Sequence, residues 1–267
     1  MARCAGRTDL GRHVGDPAPH HQPRSAAAIG GVMEQDFVLV HGAWHGGWCW
    51  GGVAANIRAQ GHVATAPTLT GLGERAHLSS DAVDLETHVT DVIAHIEAED
   101  LSDVVLVGHS YGGVVITHVA DRIPERLSRL IYLDAQIGAD AISIMDGLPP
   151  DIRDQRRAAA AGGLTMSPPA PAVFGITDAF TVDWVAARLR PHPIATYEQA
   201  LPLSRPVGAG LPADFILCTE PAFPSIAPFE ARARAMGWPV HHLATGHDAM
   251  LIAQGATAAL LMRIAAA

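Results

Sequence analysis

The segment VVLVGHSYGG, residues 104 to 113, sets a serine between glycines directly after an apolar run. G-x-S-x-G in that context is the pattern of a nucleophile on a sharp strand-to-helix turn. Glycines beside the serine let neighbouring backbone approach closely, and the turn lifts the Ser110 hydroxyl above the sheet edge. A serine hydroxyl is a weak nucleophile at neutral pH and needs a base within hydrogen-bond reach. Of the 15 histidines, His247 in ATGHDAM follows the last apolar run and precedes the terminal helix. That is the base's place in a chain ordered nucleophile, acid, histidine. His109 is expected to pack beneath the turn, and His241 and His242 lie within a strand pattern. The oxyanion of an acyl transfer needs two N–H donors. The backbone of Tyr111, after the nucleophile, and of Ala43, in the HGAW loop after the first strand, are the positions from which they would come.

The elements that must hold these residues are regularly punctuated. DFVLV (36 to 40) reads as a buried strand, Trp48 to Gln60 as a helix closed by Gly61, and HVATAP as a strand cut off by Pro67. Leu85, Val89, Val92, Ile93 and Ile96 fall on one helical face. DVVLV precedes the serine turn and a helix that Pro124 ends, and LIYLDA is the next strand. Apolar runs alternating with amphipathic helices imply an α/β fold with a mostly parallel sheet and right-handed crossovers. The proline-rich stretch 136–211, with Met145, Phe174, Phe180 and Trp184, interrupts that rhythm and predicts a helical cap inserted after the strand ending at Asp134. Residues 33–135 and 212–267, including DFILCT and PVHHLA, make up the core. Residues 1–32 are rich in Arg, Gly, Pro and His without the apolar run of a secretory signal, and read as a disordered extension.

Composition narrows the function. The chain has 267 residues, 49% of them apolar and 17% charged, enough for one α/β domain with its cap. A net charge of -9 without a basic run argues against a nucleic-acid partner. No apolar run is long enough to span a membrane. All 18 basic side chains are arginines, so no mechanism here uses a lysine. Cys4, Cys49 and Cys218 form no CxxC pattern, which points to neither a disulfide framework nor a zinc site and fits a reducing cytoplasm. No metal or organic cofactor is expected, and the oligomeric state is left open.

FVLVHGAWHGGWCW, PTLTGLGER, VLVGHSYGG, LIYLDA and TGHDAML, in that order, resemble α/β-hydrolase-fold carboxylesterases from Phe37 to the C-terminus. Within them the chain looks like bacterial pyrethroid-hydrolase-like esterases, which are related to plant methylesterases and hydroxynitrile lyases. The lyases pair a threonine in the first loop with a lysine beside the catalytic histidine; Ala43 and Asp248 occupy those positions here. The resemblance therefore implies hydrolysis rather than cyanohydrin cleavage.

The acid departs from the plant pattern, in which an aspartate follows the strand corresponding to FILCT. Here only Glu220 remains, one or two positions early and before the rigid Pro221. Asp134, at the end of LIYLD, resembles the arrangement in some haloalkane dehalogenases. Ends of adjacent strands can reach the same imidazole, and one acid suffices. Asp134 is preferred and Glu220 is the alternative. Trp44, His45 and Trp184 are candidates to line the substrate pocket, and Arg75 in GLGER is expected in a structural ion pair. The expected activity is serine carboxylesterase action on a hydrophobic small-molecule ester. The alternatives are a hydrolase-like ligand-binding protein with little turnover or a lyase of the same fold.

Overall fold

The computed structural model describes residues 28–29, 32–160 and 163–267. The expected 1–32 extension lies outside the described residues, apart from a short antiparallel hairpin that pairs Ala28–Ile29 with Val32–Met33.

In chain order, β1 (Asp36–Val40) leads through a 3-10 turn into α1 (Gly51–Ala59), and β2 (Val63–Thr65) follows. α2 (Leu85–Ala98) starts at a capping box in which Asp84 accepts from the Thr87 N–H and the Thr87 hydroxyl faces the Asp84 N–H. β3 (Val104–His109), α3 (Gly112–Arg122) and β4 (Leu127–Leu133) come next. Pro124 terminates α3, since it has no N–H to continue the ladder.

The sequence between β4 and the next sheet strand holds α4 (Ile144–Gly147), α5 (Pro150–Ala160), β5 (Thr165–Met166), α6 (Ala179–Ala186), β6 (His192–Pro193) and α7 (Ala195–Glu198). β5 and β6 pair antiparallel, apart from the main sheet. Asp121 of α3 pins the exit of this segment by accepting from the Ser204 and Arg205 N–H groups. The core resumes with β7 (Ala213–Cys218), α8 (Ala227–Ala235), β8 (Val240–Leu243), α9 (Ala249–Ile252) and α10 (Gln254–Ala265).

The six-stranded sheet has the order β8-β7-β4-β3-β1-β2, and every neighbouring pair is parallel. Crossover helices cover both faces, so the central strands carry consecutive apolar residues, as in FVLV and VVLV, with period two deciding which face each side chain meets. Val38, Val40, Leu106, Leu130, Tyr132 and Phe215 pack with α2, α3 and the inserted segment. Phe37, Leu39, Val105, Val107, Ile131 and Ile216 pack with α1 and α10. The carboxyl ends of β1, β3 and β4 are neighbours in this order, which brings residues 41–44, 110–111 and 134 to one edge.

Candidate active site

Ser110 and Tyr111 alone separate β3 from α3. Ser110 has φ 54, in the left-handed region that costs a non-glycine residue on the order of 1–3 kcal/mol. Hydrogen bonds hold it there: its N–H donates to the Leu133 carbonyl at 3.3 Å, and its carbonyl accepts from Gly113 at 3.1 Å and Gln136 at 3.0 Å. The flanking glycines are required by close approach. A Cβ on Gly108 would lie 2.6 Å from the Gly112 carbonyl oxygen, and one on Gly112 would lie 2.8 Å from the carbonyl oxygens of Val40 and His41.

His247 follows β8, and its Nδ1–H donates to Asp134 Oδ2 at 2.6 Å. Asp134 is fully buried at the end of β4, with φ 43. Its second oxygen accepts from the Cys218 N–H at 2.9 Å, so each carboxylate oxygen has one donor. With the proton on Nδ1, Nε2 is left as the acceptor. Phe223 stacks on the imidazole, ring centres 4.2 Å apart. His109 packs beneath it, donating from Nε2 to the His247 carbonyl at 2.9 Å. Burial, then the neighbouring His247, pushes His109 well below the ordinary histidine range. Among the described residues no hydrogen bond joins the Ser110 hydroxyl to His247; such contacts commonly tighten only when substrate binds.

The two candidate acids are therefore placed very differently. Glu220 is exposed, its N–H donates to the Thr245 carbonyl, and among the described residues no group pairs with its carboxylate.

The loop after β1 is held by neutral histidines. His41 Nε2 accepts from the Leu69 N–H at 3.1 Å while Nδ1 donates to the Gly42 carbonyl, and burial pushes its pKa down to about 3. Trp44 has φ 65 and donates its N–H to His192 Nδ1 at 3.3 Å. Its carbonyl accepts from Arg190 and its indole N–H donates to the Met166 carbonyl. His88 donates from Nε2 to the Thr70 carbonyl and accepts the Tyr111 hydroxyl at Nδ1, 2.8 Å away; burial pushes its pKa down to about 4. Among the described residues no protein group engages the backbone N–H of Ala43 or of Tyr111.

Trp44 and His45, expected at a pocket wall, lie packed in the loop after β1. Both are buried, with their polar atoms bound internally, and neither borders the 290 Å³ cavity beside the turn. That cavity is lined by Val114, Gln136, Ile137, Ile142, Leu148 and Phe229, among others. Trp184 borders a separate cavity of 340 Å³ with Trp48 and Phe180, its ring beneath the Arg188 guanidinium. Arg75 pairs with Asp91 at 3.0 Å. Ligand atoms of His109, His247 and Asp248 lie within 4.8 Å of one another, the grouping among the described residues nearest to a metal site. In that grouping His247 Nδ1 donates to Asp134 and His109 Nε2 to the His247 carbonyl, while His109 Nδ1 and Asp248 Oδ1 are buried without a hydrogen-bond partner among the described residues.

The family model described as "Alpha/beta hydrolase family" matches residues 37–260. The chain belongs to that family. The carbendazim hydrolyzing esterase of Nocardioides sp. (strain SG-4G) is 43% identical over 229 residues, 81% of this chain and 93% of that protein. The pyrethroid hydrolase of Sphingobium wenxiniae is 39% identical over 110 residues, 40% of this chain but 38% of that protein. An extracellular α/β-hydrolase from a Paenibacillus species superposes with a TM-score of 0.72 at 22% identity, covering 86% of this chain and 98% of that one, a likeness of fold. Among the described residues no helix is long and apolar enough to cross a membrane.

Two features of this α/β hydrolase lay beyond the sequence reading. Asp248 pairs with His45 across 203 positions, and His192 reaches Trp44 across 148. The Asp next to His247 and the second histidine of HGAWH were visible as residues, but nothing local says that they meet.

Proposed function

We propose that this α/β hydrolase is a serine carboxylesterase using Ser110, His247 and Asp134, with residues 136–211 as a cap over the site. The observation that carries the reading is the fully buried Asp134 carboxylate, 2.6 Å from His247 Nδ1 at the end of the strand beside the Ser110 turn. Esterase-named relatives support carboxylic ester hydrolysis as the reaction.

In the proposed reaction Ser110 Oγ attacks the ester carbonyl carbon and gives its proton to His247 Nε2. Asp134 holds the ring so that Nε2 is the acceptor and stabilises the imidazolium that results. The N–H groups of Ala43 and Tyr111, which no protein group engages among the described residues, receive the oxyanion. The tetrahedral intermediate collapses, its carbon–oxygen bond to the alcohol breaks, and His247 protonates the leaving alkoxide. Water, deprotonated by His247, then attacks the acyl-serine and releases the carboxylate. The apolar cavity that begins at Val114 and Gln136 would take one arm of the ester, since Gln136 itself hydrogen-bonds the Ser110 carbonyl.

Hydrolysis of p-nitrophenyl acetate and of carbendazim by the parent and by Ser110→Ala tests the reading. Activity that disappears with the serine supports it, and a variant that keeps the parent's rate overturns it.

A further inference from the structure

Beneath the proposed site lies a second histidine–carboxylate pair that the reaction above does not use. His45 is 1% exposed and Asp248 fully buried, and Nε2 of the first lies 3.1 Å from Oδ2 of the second. The other ring nitrogen, Nδ1, lies 2.7 Å from the Ala43 carbonyl oxygen. A carbonyl and a carboxylate both only accept. A neutral imidazole would satisfy one of them and turn a lone pair toward the other, so the arrangement calls for a proton on each nitrogen. Burial alone would discharge the ring, but the charge and hydrogen bond of Asp248, with the Ala43 bond, outweigh it and raise the His45 pKa. Burial likewise opposes ionisation of Asp248, and the charge and hydrogen bond of His45, then His109 and His247, overcome it and lower the Asp248 pKa.

The two ends of this pair sit at the two halves of the chemistry. Ala43 carries one proposed oxyanion donor, and Asp248 is the residue after His247. We propose that His45, kept as an imidazolium by Asp248, is a positioning residue that fixes the Ala43 N–H relative to the His247 loop, and that its deprotonation disables the site at alkaline pH.

The groups that face the pair leave this role to His45. The His109 ring lies 6.4 Å away, with Nε2 3.9 Å from Asp248 Oδ1. His41 from the first loop and His192 from β6 also bear on the His45 ring, and His247 bears on Asp248. Burial pushes His41, His109 and His192 below the ordinary histidine range, so they are uncharged at neutral and alkaline pH. Burial, then Asp248, pushes the Cys49 thiol well up, keeping it protonated. Trp48 and Phe174 close the remaining sides at 5.5 and 5.4 Å. When His45 loses a proton, a lone pair faces either the Ala43 carbonyl or the Asp248 carboxylate, and the loop must shift to separate them. A displacement of about 1 Å at a reacting centre costs on the order of 10²-fold in rate.

The inference rests on the serine-esterase reading and is tested by kcat and KM for p-nitrophenyl acetate from about pH 5 to 10 in the parent, Asp248→Asn and His45→Gln. The parent's kcat should fall above pH 6.5 with little change in KM. Removing the carboxylate lets burial discharge His45, so Asp248→Asn should move that alkaline limb to lower pH and, at the pH where the parent's kcat is still on its plateau, lower kcat by on the order of 10²-fold. His45→Gln should lack the limb. Should either variant fail to fold, ¹⁵N NMR of the parent's histidines decides. His45 should carry protons on both nitrogens on the kcat plateau and lose one in step with kcat. An unprotonated His45 nitrogen on the kcat plateau, or an alkaline limb unmoved in Asp248→Asn, overturns the inference. Fluorophosphonate labelling of Ser110 separates the two failures, because a site that labels rapidly while the limb stays put keeps the esterase reading and loses only this one.

Discussion

Replacing Asp134 by asparagine tests the acid assignment with little backbone disturbance, since asparagine tolerates the left-handed conformation that Asp134 adopts at φ 43. Asp134 meets two donors, the His247 Nδ1–H at 2.6 Å and the Cys218 N–H at 2.9 Å. An asparagine side chain has one oxygen for the two of them. If that oxygen keeps Cys218, the amide NH2 faces His247 Nδ1, which must give up its proton. The proton then sits on Nε2, where it blocks uptake of the Ser110 proton. In the flipped rotamer the NH2 opposes the Cys218 N–H inside a fully buried site, which leaves a donor unsatisfied at about 1–3 kcal/mol. The first arrangement wins, and the enzyme folds with its imidazole in the wrong tautomer. A loss of roughly 10⁴ in kcat is the scale of that error, or about 5.4 kcal/mol of transition-state stabilisation.

Glu220→Gln is the matched control. The exposed Glu220 carboxylate pairs with no group among the described residues, so its amide should leave stability within about 0.5 kcal/mol of the parent and leave kcat unchanged. The assay is kcat and KM on p-nitrophenyl acetate, with circular dichroism to confirm folding. Asp134→Asn within tenfold of the parent, or a collapse in Glu220→Gln instead, would refute the reasoning and return the acid to the loop after β7.

Gly108→Ala should lower activity sharply and destabilise the fold by about 1–3 kcal/mol, read by thermal melts, because its Cβ would sit 2.6 Å from the Gly112 carbonyl and push α3 off the turn. Stability should also fall as pH drops below 6.5. His41 and His88, which burial pushes down to about 3 and about 4, stay neutral in the fold while the unfolded chain binds protons there. Each contributes up to about 1.4 kcal/mol per pH unit; urea midpoints at pH 7 and 5 check this, and equal midpoints would contradict it.

How much of this could be seen in the sequence follows from how local each constraint is. The serine turn was legible because the glycines it requires, Gly108 and Gly112, both sit within two residues of the nucleophile, whatever backbone their missing Cβ atoms make room for. The sheet was legible because parallel strands covered on both faces leave unbroken apolar runs, as in VVLV. The loop histidine was legible from its place after the last strand. The carboxylate was not fixed in this way, because the Cys218 N–H that holds Asp134 lies 84 positions further along. The surroundings of Trp44 and His45 were not legible for a related reason. An aromatic or a histidine in a loop near a nucleophile suits a pocket wall as well as a structural clamp, and only the partners, Met166 and Asp248, decide between them.

The sheet order explains why an acid on β4 is physically sufficient. β4 lies between β3, which delivers Ser110, and β7, so the end of β4 is closer in the sheet to the nucleophile than the end of β7 is. Asp134 is anchored twice to β7, its N–H donating to the Ile216 carbonyl at 2.7 Å and its Oδ1 accepting from the Cys218 N–H. β7 thus contributes backbone rather than a carboxylate, and the loop that follows it is released for other work. That loop places Phe223 on the imidazole at 4.2 Å, where an apolar ring shields His247 from water. An acid at Glu220 would have to bring a charge into the same loop and leave Asp134, already buried against the imidazole, as a second anion on one ring. Two carboxylates cannot both ionise cheaply at such a site, so one acid on this imidazole, the buried Asp134, is the arrangement that electrostatics favours.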